Sequence, residues 1–429
     1  MKSKSKKKIY DVVYVGAGPA TIFGLLKYWK SSDNILVLER GEPLPERTHL
    51  LFGFAGAGCF SDSKLVCDGR IKKFLSSEQF DAYAEEILQY YREFSGDDSL
   101  SWKVPPNRKS PSSKLYFISS KVCHVGTDRS RTTFKRIQDK LSPIIRFRKK
   151  VVSVKENPWG FTIKTSDGER FLARHLVLAT GSRDFLLPKI STYFRLRSQV
   201  PYVQIGVRVE TSFDFISRKL CSLVEDFYDF KVAMNTFRPT ARWRTFCVNA
   251  KNAFVVVEDE GEYVSANGHA YHSDKNNNMI NFGILGEIHW ALPLHLQIFI
   301  ARKVNKQGKL LAQNIDDFLN REPSSSLEVP STVPEHRYYL GNLWECFPPE
   351  VCVGLRDFLT EFLKHFPFKG HFFAPEINLV HPVVDCNNKL EVYPNLFVIG
   401  DVMITRSIVD AGVSGMVVAR ELQNRGIWR

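Results

Sequence analysis

The stretch VGAGPATIFG, residues 15–24, decides the fold class of this chain. A strand-length apolar run, IYDVVYV at 9–15, leads into it, and the run ILVLER at 35–40 follows as a second buried strand. Strand, glycine turn, helix and strand in this order are typical of a unit that binds a dinucleotide at the turn. We therefore predict an α/β fold with a Rossmann-like domain built on a parallel sheet.

The residue types in the turn suit the binding of a pyrophosphate. Gly16 permits a tight turn, and Gly18 lets the backbone come close to a phosphate. Pro19 and Ala20 begin the expected helix, where a proline needs no N–H partner and where free N–H groups and the helix dipole attract an anion. These four residues form the predicted phosphate site.

Residues around the turn complete the expected site. Thr21 stands where the dinucleotide fingerprint has glycine or alanine, which predicts looser packing of helix on strand, with Gly24 supplying a close contact one turn later. Glu39 ends the second strand about 20 residues after Gly18, the spacing at which an acid binds ribose hydroxyls and disfavours a 2′-phosphate. Arg40, next to this acid, is included in the predicted cofactor site.

The remainder of the nucleotide-binding domain is dispersed along the chain. Three short alternating segments predict a β-meander, and they are 149–156, 161–166 and 170–175. Between about 190 and 375 the sequence changes character, since strand-like patches alternate there with helical stretches. We predict a discontinuous FAD-binding domain, residues 1–190 and 376–429, and an inserted α+β substrate or cap domain, residues 191–375.

The cofactor is expected to be FAD rather than NAD. Thr180-Gly181 and Gly400-Asp401 each end a buried strand of the kind that lines a flavin. Asp401 would hold ribityl or pyrophosphate hydroxyls through its carboxylate. The sequence contains no second strand–GxGxxG–helix unit for a nicotinamide nucleotide. Together these features favour FAD.

The chain resembles a family of FAD-dependent dehydrogenases of largely unassigned substrate, the NAD/FAD-utilising type among the glutathione-reductase-like flavoproteins. The resemblance spans nearly the whole chain. It is carried by these stretches: VGAGPA with LVLERG, FAGAGCFSDSKL, CHVGTD, IGVRVE, RTFC, and NLFVIGD with TRSIVDAGVSGMVVAR. The chain departs from the family where Val402-Met403-Ile404 replaces part of a GDGAG stretch, and where Ser63 replaces a glycine.

The resemblance places residues 54–65, FAGAGCFSDSKL, against the flavin. Gly56 and Gly58 are then explained by backbone that passes close to a flat ring, so the two glycine-rich turns would serve one ligand. Ser61 and Lys64 would stand beside the isoalloxazine. Lys64 is the first predicted catalytic residue, because it would hydrogen-bond N5 or offset charge on the reduced ring. An ordinary surface lysine is the alternative.

The resemblance also assigns residues near the C-terminus and in the meander. Thr405 and Arg406 would begin the last helix, whose positive N-terminus would face the N1/O2 edge of the flavin and stabilise an anionic reduced ring. Arg406 is the second predicted catalytic residue, and a solvated or ion-paired arginine is the alternative. Val152 would contact the adenine through its backbone.

The charged residues and the cysteines limit the classes of partner and of metal site that we expect. The formal net charge is +13, and this leaves an anionic substrate or nucleic acid open as a partner, although no nucleic-acid-binding module is recognisable. No run of about 18 apolar residues occurs, so we predict no membrane span. The eight cysteines form no CxxC pair, and no cluster of side chains predicts a metal site. We expect a cytoplasmic protein with reduced thiols.

The predicted function is an FAD-dependent oxidoreductase that transfers a hydride between the flavin and a C–N or C–C bond of a small or anionic substrate. Two alternatives stay open. One is an FAD-dependent lyase or isomerase without net redox change, for example on a modified nucleic acid. The other is a catalytically silent flavin-binding protein, which the replacement at Val402-Met403-Ile404 favours. In the inserted domain, Arg208 and Glu210 share one face of a strand, which favours an ion pair between them over a substrate contact.

Overall fold

The chain folds into two compact units in the computed structural model. Unit 1 comprises Met1–Ser101, Cys123–Gln199 and His381–Arg429, and unit 2 comprises Trp102–Val122 and Val200–Val380. The structure describes residues 8–49, 51–60, 63–182, 185–200, 202–227, 229–237, 240–250, 252–271, 277–380, 383–403 and 407–428.

The strands of the described residues are short to medium in length. In chain order they are β1 (Ile9–Val15), β2 (Ile35–Leu38), β3 (Lys64–Val66), β4 (Leu115–Phe117), β5 (Val122–His124), β6 (Ile145–Arg146), β7 (Val151–Asn157), β8 (Gly160–Thr165), β9 (Arg170–Leu178), β10 (Ser198–Gln199), β11 (Val203–Ser212), β12 (Val232–Phe237), β13 (Thr240–Ala250), β14 (Ala253–Asp259), β15 (Val264–Ala270), β16 (Met279–Ile288), β17 (Leu310–Asn314), β18 (Tyr338–Leu340), β19 (His371–Asn378), β20 (Val383–Val384), β21 (Glu391–Tyr393) and β22 (Leu396–Val398).

The α-helices are distributed over both units. They are α1 (Pro19–Tyr28), α2 (Ala57–Phe60), α3 (Ser77–Ser95), α4 (Thr127–Leu141), α5 (Leu186–Tyr193), α6 (Arg218–Phe227), α7 (Leu294–Val304), α8 (Ile315–Asn320), α9 (Pro349–His365) and α10 (Ile408–Asn424). No helix among the described residues is both long and apolar enough to cross a membrane.

Unit 1 is built on a mixed sheet of eight strands. Its central strands are parallel neighbours in the spatial order β22, β9, β1, β2. β6 continues the parallel arrangement beyond β2, and β21 pairs antiparallel with β22 at the opposite edge. β7, β8 and the first half of β9 form an antiparallel meander. The α/β class predicted from the sequence is therefore confirmed.

Helices α1 and α10 cross in unit 1 at a point where both present glycine. A Cβ at Gly24 would lie 2.8 Å from the backbone oxygen of Gly415, and a Cβ at Gly415 would lie 1.7 Å from the backbone oxygen of Ala20. The two backbones are thus in direct contact, which larger side chains would prevent. This crossing fixes the start of α1, where Ala20 lies, relative to the last helix.

Unit 2 contains a second sheet of eight strands, in the order β18, β17, β19, β11, β16, β13, β12, β4. Helices cover one face, where Val207 and Phe282 pack with Phe362 of α9. The hairpin β14–β15 packs on the opposite face, where Ala266 lies against Phe373. Strand side chains alternate between the two faces, and so the two apolar cores stay separate.

The division into units differs from the sequence-based boundaries at three places. Residues 102–122, which the sequence places in the first domain, join unit 2 because β4 pairs with β12. β19, which starts before residue 376, pairs with β11 and belongs wholly to unit 2. β10 pairs with β20 and keeps the residues up to Gln199 in unit 1.

The α1–α10 crossing predicts a strong effect of one methyl group. Gly415→Ala should lower the free energy of unfolding by about 3 kcal/mol, because the backbones must separate to admit the Cβ. Gly168→Ala is the control, since Gly168 has φ +89° with no heavy atom within 4 Å of a Cβ. Its expected cost is the left-handed backbone alone, about 1 kcal/mol. Urea unfolding of both variants measures the difference, and equal losses would contradict the close crossing.

Candidate cofactor site

Four parallel strands of unit 1 end in register at one edge of the sheet. Leu38 pairs with Val15, Val15 with Leu178, and Leu178 with Val398. The carboxyl edge of an open parallel sheet is where such folds bind ligands. Residues that follow the four strands therefore meet there, and they are the predicted site residues Glu39 and Arg40, Gly16 and Gly18, Thr180 and Gly181, and Gly400 and Asp401.

Gly16 and Gly18 have different surroundings. Gly16 has φ +103°, and a Cβ there would lie 2.3 Å from the backbone oxygen of Ala179, at the end of β9. Its N–H donates to the oxygen of Leu38 at 2.8 Å. Around Gly18, by contrast, no heavy atom of the described residues lies within 4 Å of the Cβ position. Gly16 is required by the packing of the chain itself, whereas the Cβ position of Gly18 is open with respect to the described residues.

The N-terminus of α1 carries no side-chain cap. Gly18 is the N-cap residue and Pro19 the first helical residue. Thr21 is buried, and its hydroxyl donates to the oxygen of Gly16 at 2.7 Å. The Thr21 hydroxyl thus ties the helix to the turn, a contact that the sequence did not indicate, and looser helix–strand packing stays a prediction. Gly24 makes its close contact with α10 rather than with the sheet.

Glu39 is the most heavily used side chain of the site. Its Oε2 accepts from the N–H of Ala17 at 2.8 Å, and its Oε1 accepts from the N–H groups of Gly41 at 2.8 Å and Gly53 at 3.1 Å. The residue is only 5% exposed. The carboxylate at the position where the dinucleotide fingerprint has a ribose-binding acid thus joins three backbone segments. It can accept a further hydrogen bond, because two carboxylate oxygens offer about four acceptor positions.

The second glycine-rich turn packs directly on the first. The N–H of Ala55 donates to the oxygen of Ala17 at 2.8 Å. A Cβ at Gly56 would lie 3.6 Å from the Cα of Gly18, and a Cβ at Gly58 would lie 3.0 Å from Cγ of Pro19. The sequence predicts a flat ring beside these glycines, and the structure shows the first glycine-rich turn beside them. The two turns therefore lie in contact at one edge of the sheet.

Ser63 adopts a backbone conformation that is typical of glycine. It has φ +47°, the left-handed region that glycine ordinarily occupies. Its hydroxyl donates to the oxygen of Gly58 at 2.7 Å and shares a short hydrogen bond with the hydroxyl of Ser130 in α4. These bonds offset the cost of the left-handed conformation. Ser61, predicted beside it, lies outside the described residues.

Lys64 begins β3, which pairs with β5. The lysine is 8% exposed, which excludes the alternative of an ordinary surface lysine. A buried ammonium needs partners of opposite charge or strong acceptors. The predicted role of Lys64 beside the flavin stays a prediction.

The two remaining strand ends offer an open position and a free hydroxyl. Thr180 Oγ1 is buried and has no hydrogen-bond partner within the part of the chain that the structure describes. Gly181 has φ +72°, and no heavy atom of the described residues lies within 4 Å of a Cβ there. Gly400 has φ +80°, and its N–H donates to the hydroxyl of Ser414 at 2.9 Å. Asp401 follows in a half-buried 3-10 turn.

Two of the three residues at the Val402-Met403-Ile404 replacement pack into the interior of unit 1. Val402 is fully buried and packs in the apolar core with Leu178 and Val398, and Met403 packs against the same core. Ile404 lies outside the described residues. The placement of Val402 and Met403 weakens the argument that the replacement abolishes cofactor binding.

The last helix begins later than the sequence predicts. Ser407 is its N-cap, with the Ser407 hydroxyl accepting from the N–H of Asp410 at 2.9 Å, so α10 starts at Ile408. The sequence-based start at Thr405 is wrong because the serine takes the capping role. Thr405 and Arg406 themselves lie outside the described residues. Burial raises the pKa of Asp410, whose carboxyl accepts from the N–H of Ile71 at 3.1 Å.

Arg40 and Val152 lie at different parts of unit 1. The guanidinium of Arg40 stacks over the ring of Phe52, 3.3 Å from its centroid, in the loop between the two glycine-rich turns. The β7–β8 register shifts between Val151 and Ser153, so Val152 sits in a bulge outside the regular ladder. Its backbone groups are thereby available for contacts other than strand pairing.

Sequence reasoning missed Arg47, which fixes the loop between the turns. The residue is buried, and its guanidinium donates to the oxygens of His49 at 2.8 Å and Phe54 at 2.5 Å. Burial lowers the pKa of Arg47 to about 10, while nearby Cys59 and Glu39 oppose that shift. No periodic pattern or motif marks this arginine in the sequence, since its partners are loop carbonyl groups.

Comparison with known proteins gives distant matches. No protein-family model matches the chain. An uncharacterized protein of Clostridium beijerinckii is 24% identical over 396 residues, which cover 82% of this chain and 68% of that protein. The structure of 2,6-dihydroxypyridine-3-hydroxylase from Arthrobacter nicotinovorans has a TM-score of 0.42 and 12% identity, covering 99% of this chain and 87% of the hydroxylase.

A second solved structure is CtdE in complex with FAD, with a TM-score of 0.41 and 12% identity, covering 98% of this chain and 86% of CtdE. Matches at this distance do not decide what the chain binds. The ligand has to be inferred from the residues at the carboxyl edge of the unit 1 sheet.

The hydrogen bonds of Glu39 predict that it stabilises the protein in the absence of any nucleotide. Glu39→Gln should lower the free energy of unfolding of nucleotide-free protein by at least about 2 kcal/mol, because one amide oxygen replaces two charged acceptors and the amide N–H₂ opposes the backbone donors. Glu46→Gln is the control, since Glu46 is exposed and its one ion pair among the described residues is with Arg148. Urea unfolding compares them, and a Glu39→Gln variant as stable as wild type would show that the carboxylate serves only a ligand.

Proposed function

We propose that unit 1 binds FAD along the carboxyl edge of its parallel sheet and that the protein is an FAD-dependent oxidoreductase. The observation that carries this proposal is the open space at Gly18 beside the uncapped N-terminus of α1. A cradle that a Cβ would fill, next to free helix N–H groups, suits a pyrophosphate. Gly16 shapes this cradle, and Gly18, Pro19 and Ala20 line it.

The polar groups along the edge suit the polar parts of FAD. Glu39 would bind the ribose with its remaining acceptor capacity, beside Arg40. The unpartnered hydroxyl of Thr180 and the open position at Gly181 suit the middle of the cofactor, where a hydroxyl donor is otherwise left without a partner. Asp401, at the end of β22, would accept from ribityl or pyrophosphate-side hydroxyls.

Val152, in its bulge, would present backbone groups to the adenine. Gly56 and Gly58 pack on the first turn. We assign the flavin end of the cofactor to these two glycines together with the predicted residues Ser61, Lys64, Thr405 and Arg406. Lys64, buried in unit 1, would offset negative charge there.

When bound, FAD supplies a ring that accepts or returns a hydride. The chain contributes binding, orientation and electrostatics. A buried lysine ammonium favours negative charge in its neighbourhood, because a low dielectric strengthens the interaction. The proposed substrate is a small or anionic molecule with an oxidisable C–N or C–C bond. We assign its selection to unit 2, which is then the substrate domain, and the cofactor to unit 1.

The contrast between two glycines tests where the cofactor binds. Gly18→Ala should leave the unfolding free energy of the nucleotide-free protein within about 0.5 kcal/mol of wild type, since its Cβ meets no atom. The same variant should weaken FAD binding at least about tenfold, because the methyl group occupies the phosphate cradle.

Gly16→Ala is the matched variant for this test. It should destabilise the nucleotide-free protein itself, because its Cβ would lie 2.3 Å from the oxygen of Ala179. Titration with FAD and urea unfolding measure the two quantities. Unchanged FAD affinity in a folded Gly18→Ala variant would place the pyrophosphate elsewhere.

The absorbance spectrum of the purified protein tests the cofactor itself. We expect the near-ultraviolet and blue bands of an oxidised flavin, with FAD released on heating. Photoreduced protein should be reoxidised by an electron acceptor, which separates an oxidoreductase from a silent flavin-binding protein. A colourless protein that cannot be reconstituted with FAD contradicts the proposal.

A further inference from the structure

The sheet of unit 2 carries a buried arginine–glutamate pair on the face opposite its helices. Arg208 of β11 and Glu376 of β19 are 0% and 4% exposed, and the Arg208 guanidinium donates a short hydrogen bond to Oε1 of Glu376. Arg208 also donates to the oxygen of Cys247 at 2.8 Å. The sequence-based expectation of a pair between Arg208 and Glu210 is wrong, because Glu210 is occupied by His371, whose Nε2 lies 3.1 Å from its carboxylate.

The hairpin β14–β15 lies directly on the pair formed by Arg208 and Glu376. At Gly268 of β15, a Cβ would lie 2.2 Å from Oδ1 of Asn281 and 2.7 Å from NH1 of Arg208. The backbone of the hairpin is therefore in contact with the charged layer, and only glycine permits it. Further polar contacts hold the hairpin, including the bond from the Ser265 hydroxyl to the oxygen of Pro375 at 3.3 Å.

The hairpin brings a second carboxylate to the same layer. Glu258 of β14 is 4% exposed and accepts from Nδ2 of Asn267 at 2.7 Å. Closure thus buries two acidic side chains, Glu258 on the hairpin and Glu376 on the sheet, in the layer that contains the guanidinium of Arg208. Two ionised carboxylates in one buried layer repel each other, which makes it costly to keep Glu376 ionised there.

The surroundings of Glu376 disfavour its ionised form. Its Oε2 is buried without a hydrogen-bond partner among the residues that the structure covers. Burial raises the pKa of Glu376 from 4.5 to about 7, with Glu258 adding to the shift and Arg208 opposing it. A neutral carboxyl tolerates an unpartnered oxygen at lower cost than a carboxylate does.

We propose that the β14–β15 hairpin is a proton-dependent lid on unit 2, closed over the sheet while Glu376 carries a proton and loosened when that proton leaves. Opening hydrates Glu376, which then releases one proton to solvent, and no other bond changes. The closed form therefore binds the proton more tightly than the open form. Between about pH 4.5 and pH 7, the open population should rise about tenfold per pH unit, and it should level off above pH 7.

Other charged and titratable groups face the same layer and have to be separated from Glu376. Glu210 and His371 bind each other on β11 and β19, and His269 lies on β15. Further along the sheet, Glu287 of β16 pairs with arginines of β13. None of these is altered by a substitution at Glu376, so such a substitution isolates its contribution.

Hydrogen exchange of the full-length protein between pH 5 and pH 8.5 tests this proposal. After correction for intrinsic exchange, amides of β14 and β15 should lose protection by about 40-fold from pH 5 to pH 7 and by only about twofold more up to pH 8.5. Amides of α1 and α10 in unit 1 are the internal control and should show no such change. Wild-type β14–β15 protection that does not vary with pH would overturn the proposal.

Two variants identify the responsible group. Glu376→Gln keeps an acceptor for Arg208 without the titration, so the hairpin should show the high protection of wild type at pH 5 at every pH. Glu258→Gln removes the like charge and should reduce the loss of protection, and it provides the test if Glu376→Gln does not fold. Full pH dependence in folded Glu376→Gln would assign the lid to a histidine and overturn the role of Glu376.

Discussion

The buried carboxylate of Glu39 is the interaction on which the geometry of unit 1 depends. Its three backbone donors come from the first glycine turn, from the exit of β2 and from the start of the second turn. A backbone N–H buried without a partner is costly, so these three segments cannot separate without exposing or stranding their donors. The position of Gly18 and of the α1 N-terminus follows from this arrangement, and with it the proposed phosphate cradle.

Glycine serves two different purposes around this centre. At Gly16, Gly24 and Gly415 the missing side chain lets one backbone touch another, as the short Cβ distances show. At Gly18 and Gly181 the Cβ position is open. A glycine motif therefore mixes residues needed for folding with residues left free for a ligand. Only the surroundings in three dimensions distinguish the two kinds.

Much of the carboxyl edge of the unit 1 sheet could be predicted from the sequence, because it follows from local sequence patterns. The strand bounds at Ile9–Val15, the turn and the acid at Glu39 are all set within about 30 residues by apolar runs and fingerprint spacing. In-register strand ends then bring Thr180 and Gly400 to the same edge, since parallel strands share one carboxyl end.

What escaped prediction depends on contacts between distant segments. The fold of the second turn onto the first rests on a hydrogen bond between Ala55 and Ala17 that no periodicity encodes. The start of α10 was set by the Ser407 cap, and the pairing of β4 with β12 took residues 102–122 into unit 2. Arg208 of β11 pairs with Glu376 rather than with Glu210. Glu376 lies on the neighbouring strand β19, which is far along the chain from Arg208, and so no local pattern indicates this contact.

The most direct test of this account is a crystal structure of the protein with FAD. It should show the pyrophosphate within hydrogen-bond distance of the N–H groups of Gly18 and Ala20, with Glu39 still accepting from Ala17, Gly41 and Gly53 while it binds the ribose. A dinucleotide bound away from the carboxyl edge of the unit 1 sheet would contradict the account, as would a Glu39 that releases its backbone donors to hold the ligand.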